Sequence, residues 1–146
     1  MKKKAILFLL FSILFIMVDI TLSNTLRIIF SFAYIAYIIA TLETPYNFYF
    51  AVIFGFLFDI VFSQYLGPFM LLFFLISLIS YTICTFYSIK KLALQLILVP
   101  LCFIPFALIN KNMNEIFYYI LFTEIAAFAT YWLLSNVSKR IDYEKT

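Results

Sequence analysis

The chain has 146 residues, of which 66% are apolar and 12% charged, with a formal net charge of +3 and a mean hydropathy of +1.11. Soluble globular domains are roughly 45–50% apolar and about 25% charged, so an ordinary soluble domain is excluded. A disordered chain is excluded as well, since disorder needs low hydrophobicity and high net charge. Apolar residues run from one end to the other, which excludes a single-span anchor and predicts an all-α integral membrane protein.

A bilayer core takes about 17–25 apolar residues per helix. On that measure the first span covers 5–22 and carries Asp19. Lys2, Lys3 and Lys4 followed by the apolar run from Ala5 resemble the opening of a signal peptide. No A-x-A cleavage site follows, so retention as a span is expected. The second span, 26–42, opens on Arg27 and repeats Ala36 and Ala40 on one face. In the third, 46–63, Ala51, Gly55 and Asp59 fall on one face at four-residue spacing. Small residues let helix backbones approach closely, so this face is predicted to turn inward and to take Asp59 with it.

The fourth span, 68–89, carries Ser77, Ser80, Cys84 and Ser88 as one polar stripe. The fifth, 92–109, contains Pro100 and Pro105, which should bend it, and Gln95, read as an interfacial amide near the cytoplasmic end. The sixth, 116–134, lines one side with Thr123, Ala127 and Thr130 and holds Glu124 near its middle. Connections this short make consecutive helices antiparallel neighbours. With no linker, no low-complexity tail and no clear internal repeat, 1–146 is expected to form one domain, a compact six-helix bundle. Spanning strands would alternate polar and apolar residues; the stretch from Phe69 to Ile79 is apolar on every side.

Six spans put both termini on one side. That side carries Lys2, Lys3, Lys4, Lys90, Lys91, Lys139, Arg140 and Lys145, against Arg27 and Lys111 on the other. The excess places both termini in the cytoplasm. Phe-rich surfaces are expected to face lipid.

The chain contains no histidine, which removes Ser-His-Asp and Cys-His catalysis and His-ligated metals. Cys84 and Cys102 fit no metal or redox spacing and read as packing residues. Two glycines leave no phosphate-cradling loop. No enzyme, cofactor, metal or nucleic-acid partner is therefore expected. The candidate polar core is Asp19, Asp59 and Glu124, since intramembrane ionisable groups are costly and rare. Arg27 lies near the outer level of both aspartates, and one of them is expected to pair with it. A structural ion pair, a ligand or proton site, and a contact with a partner subunit are the open readings. Glu124 has no cation at its depth, and a hydrogen bond to a hydroxyl of the Ser77 stripe is the expected arrangement.

The segment holding Gly55, Asp59, Ser63, Leu66 and Gly67 resembles the signature of the rod shape-determining protein MreD family. That family has a Gly, an Asp four residues on near the end of the third span, a short outer turn, and a Leu-Gly pair opening the next helix. Gln64 and Tyr65 stand here where the turn would hold small residues, and Pro68 follows the glycine. The resemblance implies a non-enzymatic inner-membrane scaffold of the cell elongation machinery. Its implied partners are MreC, a single-span protein with a periplasmic domain, and indirectly MreB and the RodA and penicillin-binding pair that builds peptidoglycan. The Asp59–Gly67 corner is then the expected contact surface. The family is also similar to the S component of energy-coupling-factor transporters, so a substrate-binding subunit of a small-molecule transporter is the alternative. A proton-coupled exporter working through Glu124 or Asp59 is a third.

Overall fold

The computed structural model describes residues 2–26, 28–62, 66–87, 89–104 and 113–143. Among these residues there are six helices and no strand: α1 (Lys2–Leu26), α2 (Phe30–Thr41), α3 (Tyr46–Phe62), α4 (Pro68–Phe86), α5 (Lys91–Cys102) and α6 (Met113–Tyr143). The all-helical reading of the sequence is therefore met.

Two helical stretches, Pro68–Phe86 and Glu115–Val137, are long and apolar enough to cross a bilayer unaided. The second and fifth apolar stretches form shorter helices than the 26–42 and 92–109 expected from composition. α2 and α5 have 12 residues each, or about 18 Å at 1.5 Å per residue. Pro105 and residues 106–109 lie outside the described residues. α5 ends two residues past Pro100, where the Phe103 N–H donates to the Pro100 carbonyl at 3.0 Å. This tighter i to i+3 bond closes the last turn, as helix C-termini commonly do.

α2 is the axis of the bundle. It packs against all five other helices, while α3 lies beside α4, α4 beside α5, and α5 beside α6. Every residue from Ser31 to Ala40 is buried. A helix apolar all round is a buried helix, and here Ala33, Ala36 and Ala40 keep its girth small enough to be enclosed. Its C-terminus receives Lys91 Nζ on the Thr41 carbonyl at 3.4 Å, a cation at the negative end of a helix.

Phenylalanines fill the space between α2, α3 and α4. Phe58 lies 4.8 Å from Phe69 and 5.4 Å from Phe32, centroid to centroid, and Phe32 meets Phe103 edge-on at 5.0 Å. Offset and edge-on pairs contribute about 0.5–1.5 kcal/mol each beyond the area they bury. The outward faces are apolar as well. Leu10 and Met17 on α1, Leu71 and Phe74 on α4, and Phe117, Ile125 and Trp132 on α6 are exposed.

Candidate functional site

α3 carries Gly55 and Asp59 one turn apart, on the face that meets the start of α4. The approach is close enough that a Cβ on Gly55 would lie 2.4 Å from Met70 Cα and 2.8 Å from both Met70 N and Phe69 O. Only a residue without a side chain fits there. The contact brings the first turn of α4 to Asp59, whose side chain is buried. Asp59 Oδ2 accepts from the Gly67 N–H at 2.9 Å and the Met70 N–H at 3.1 Å, and Oδ1 from the Phe69 N–H at 2.9 Å.

The first N–H groups of a helix are not taken up by its own ladder, and here they point to the carboxylate. The positive end of the α4 dipole favours a carboxylate at this place. Pro68, at the first helical position, has no N–H to satisfy. Gly67 turns the chain into α4 with φ 119° and ψ −28°, a left-handed conformation open to glycine and costly to other residues. Leu66 precedes it and is 69% exposed. The structure thus brings together Gly55, Asp59 and Gly67, with Leu66 at the rim. Ser63 lies outside the described residues.

Asp19 makes the same kind of corner. Its carboxylate, buried on α1, accepts from the Phe30 N–H at 2.7 Å on Oδ1 and the Ser31 N–H at 2.8 Å on Oδ2. The Ile29 N–H just before them donates to Thr123 Oγ1 on α6 at 3.2 Å. Both aspartates therefore neutralise helix N-termini. The pairing with Arg27 falls outside the described residues.

Glu124 is half-buried on α6, and no hydrogen bond joins it to the α4 stripe among the described residues. Ser77 Oγ is buried without a hydrogen-bond partner, so it is not the hydroxyl expected to serve Glu124. The stripe itself divides: Ser77 and Ser80 are buried, Cys84 is exposed, and Ser88 lies outside the described residues. Cys84 is thus not the packing residue expected, whereas Cys102 is.

Gln95 is the polar residue that the sequence reading undervalued. It is not interfacial but fully buried. Its Nε2 donates to the Ala33 carbonyl on α2 at 3.1 Å and to the Ala127 carbonyl on α6 at 3.2 Å, with Thr130 Oγ1 at 3.4 Å. It ties α5 to the central helix and to the Thr123–Thr130 face of α6. The small and hydroxyl residues at 123, 127 and 130 gave the signal for that face; the amide facing them from α5 did not stand out beside the lysines that precede it.

This arrangement ties together three helix junctions and presents one corner, Leu66–Gly67, at the surface. The carboxylates of Asp19 and Asp59 are engaged by main-chain donors. Comparison with family models, with curated proteins and with solved structures finds no match for this chain.

Proposed function

We propose that the chain is a multi-pass protein of the bacterial cytoplasmic membrane, with both termini inside, that acts as a non-enzymatic scaffold of cell elongation. In this reading it binds an MreC-like single-span protein, and through it the wall-synthesising machinery. The membrane part rests on composition, on the two membrane-length helices and on exposed apolar residues along α1, α4 and α6. Soluble monomers rarely expose contiguous apolar patches beyond a few hundred Å². The short helices α2 and α5 accord with it too, because α2 is enclosed by protein and need not span lipid alone. The lysine and arginine distribution sets the orientation.

The observation that carries the functional reading is the Asp59 corner. The five residues that resemble the MreD signature include a close-approach glycine, a capping carboxylate and a left-handed glycine that together seat the start of α4 on α3. The family pattern thereby acquires a physical reason at Gly55, Asp59 and Gly67. A Leu66–Gly67 corner with an exposed leucine is a surface that a partner's helix or membrane-proximal segment can recognise. Depleting the protein from the bacterium that makes it tests the reading by microscopy. Rods rounding into spheres before growth stops is the expected result; cells that keep their shape through depletion overturn it.

A further inference from the structure

Asp19 and Asp59 stand 40 residues apart, and the residues around them align at that offset without a gap. Asp19-Ile20-Thr21-Leu22-Ser23-Asn24-Thr25-Leu26 sets against Asp59-Ile60-Val61-Phe62-Ser63-Gln64-Tyr65-Leu66, with Asp, Ile, Ser and Leu identical and Asn facing Gln. The structure supplies independent agreement. Each aspartate is 1% exposed; the isoleucines after them are 54% and 57% exposed, and Leu22 and Phe62 are 39% and 40% exposed. Each carboxylate caps the next helix, and the equivalent residues Phe30 and Met70 both donate to it.

The two corners differ in how they are closed. Gly55 seats α3 against the backbone of Met70, whereas Phe15 occupies the equivalent place on α1. Phe15 stacks on Tyr34 of α2, ring centroids 4.9 Å apart, so a ring pair stands where Gly55 meets the Met70 backbone in the other corner. Asp59 alone takes three N–H groups at the start of α4. At the start of α2, Asp19 takes two, and Thr123 of α6 takes the third. α2 is further held by Gln95 of α5, while α1 leaves Ile6, Leu10, Ile13, Met17 and Ile20 exposed.

We infer that residues 12–31 and 52–71 are two copies of one carboxylate-clasped helical hairpin, the second locked and the first able to open. α1 is then the movable arm of the bundle, held to α2 by Asp19 at one end and by the Tyr34 hydroxyl on the Phe8 carbonyl further along, with Asp19 the contact that differs between the two corners. When α1 leaves, α2 stays in place, retained by α5 and α6. A device of this kind lets a partner or a change in the membrane displace one helix without unfolding the core.

Amide hydrogen exchange, resolved by NMR on the full chain in lipid nanodiscs, tests this. In the unaltered protein the Phe30 and Ser31 amides should exchange about tenfold or more faster than those of Phe69 and Met70, given bonds to a charged acceptor worth about 1.5–3 kcal/mol each. Asp19→Asn should speed exchange at Phe30 and Ser31 alone, and Asp59→Asn at Gly67, Phe69 and Met70 alone. Equal rates at the two corners of the unaltered protein, a comparison that needs no variant to fold, overturn the locked and opening roles. Either variant loosening both corners, or neither, overturns the two-unit reading.

Discussion

Replacing Asp59 by alanine removes the acceptor for three main-chain N–H groups at once. Two of them, from Gly67 and Met70, meet on Oδ2, and the third, from Phe69, meets Oδ1. A lost helix cap costs about 0.5–2 kcal/mol, and each buried donor left unsatisfied costs about 1–3 kcal/mol. Gly67, Phe69 and Met70 are only half-buried, so the chain can relax and recover part of this. The expected net loss for Asp59→Ala is about 3 kcal/mol. Asp59→Asn should lose about half as much, because an amide oxygen in the Oδ2 place keeps two bonds while its NH₂ faces the Phe69 donor. Cys102 gives the assay: it is buried, and Cys84, which is exposed, can be replaced by serine. The rate at which a thiol-reactive dye reaches Cys102 on heating in detergent reports opening of the core. The expected order of midpoints is unaltered protein, then Asp59→Asn, then Asp59→Ala. Two variants that melt with the unaltered protein would refute the capping argument.

Gly55→Ala puts a carbon 2.4 Å from the Met70 backbone; overpacking of this kind costs about 1–3 kcal/mol, read as a lower melting midpoint by the same assay. Gly67→Ala meets nothing within 4 Å but must hold φ 119°, so a milder loss of about 1–2 kcal/mol is expected from the left-handed backbone alone. Gln95→Leu should be close to neutral, within about 1 kcal/mol, because it removes the unpartnered Oε1 as well as the donor, and helix carbonyls such as Ala33 and Ala127 already accept main-chain bonds. Gln95→Ala should destabilise by about 2 kcal/mol or more through the cavity it leaves between α2, α5 and α6.

Helix existence was legible because runs of apolar residues are local. The third stretch, expected over 46–63, is observed at Tyr46–Phe62. Its inward face followed from the four-residue spacing of Ala51, Gly55 and Asp59, all three of which are buried. Helix length was less legible, since hydropathy does not distinguish a helix wrapped by protein from one wrapped by lipid. α2 is the case in point, with no exposed residue from Ser31 to Ala40. The acceptor role of the aspartates was missed for another reason. A carboxylate in an apolar stretch prompts a search for a cation, and Arg27 was the nearest one in sequence. Main-chain N–H groups at a helix start satisfy the same charge, yet no side chain announces them. The usable signal was an acid followed ten to twelve residues later by the first turn of the next helix, as Asp19 precedes Ser31 and Asp59 precedes Met70.

The proposed scaffold role stands or falls on the partner that the chain holds. Tagging the C-terminus, solubilising in mild detergent and identifying the co-purifying proteins by mass spectrometry tests it most directly. The account predicts a single-span protein with a coiled coil and a periplasmic domain, together with wall synthases, and loss of that protein from the Asp59→Ala preparation. Recovery of an ATPase pair with a second membrane subunit would contradict it, and would make the chain the substrate-binding subunit of a transporter.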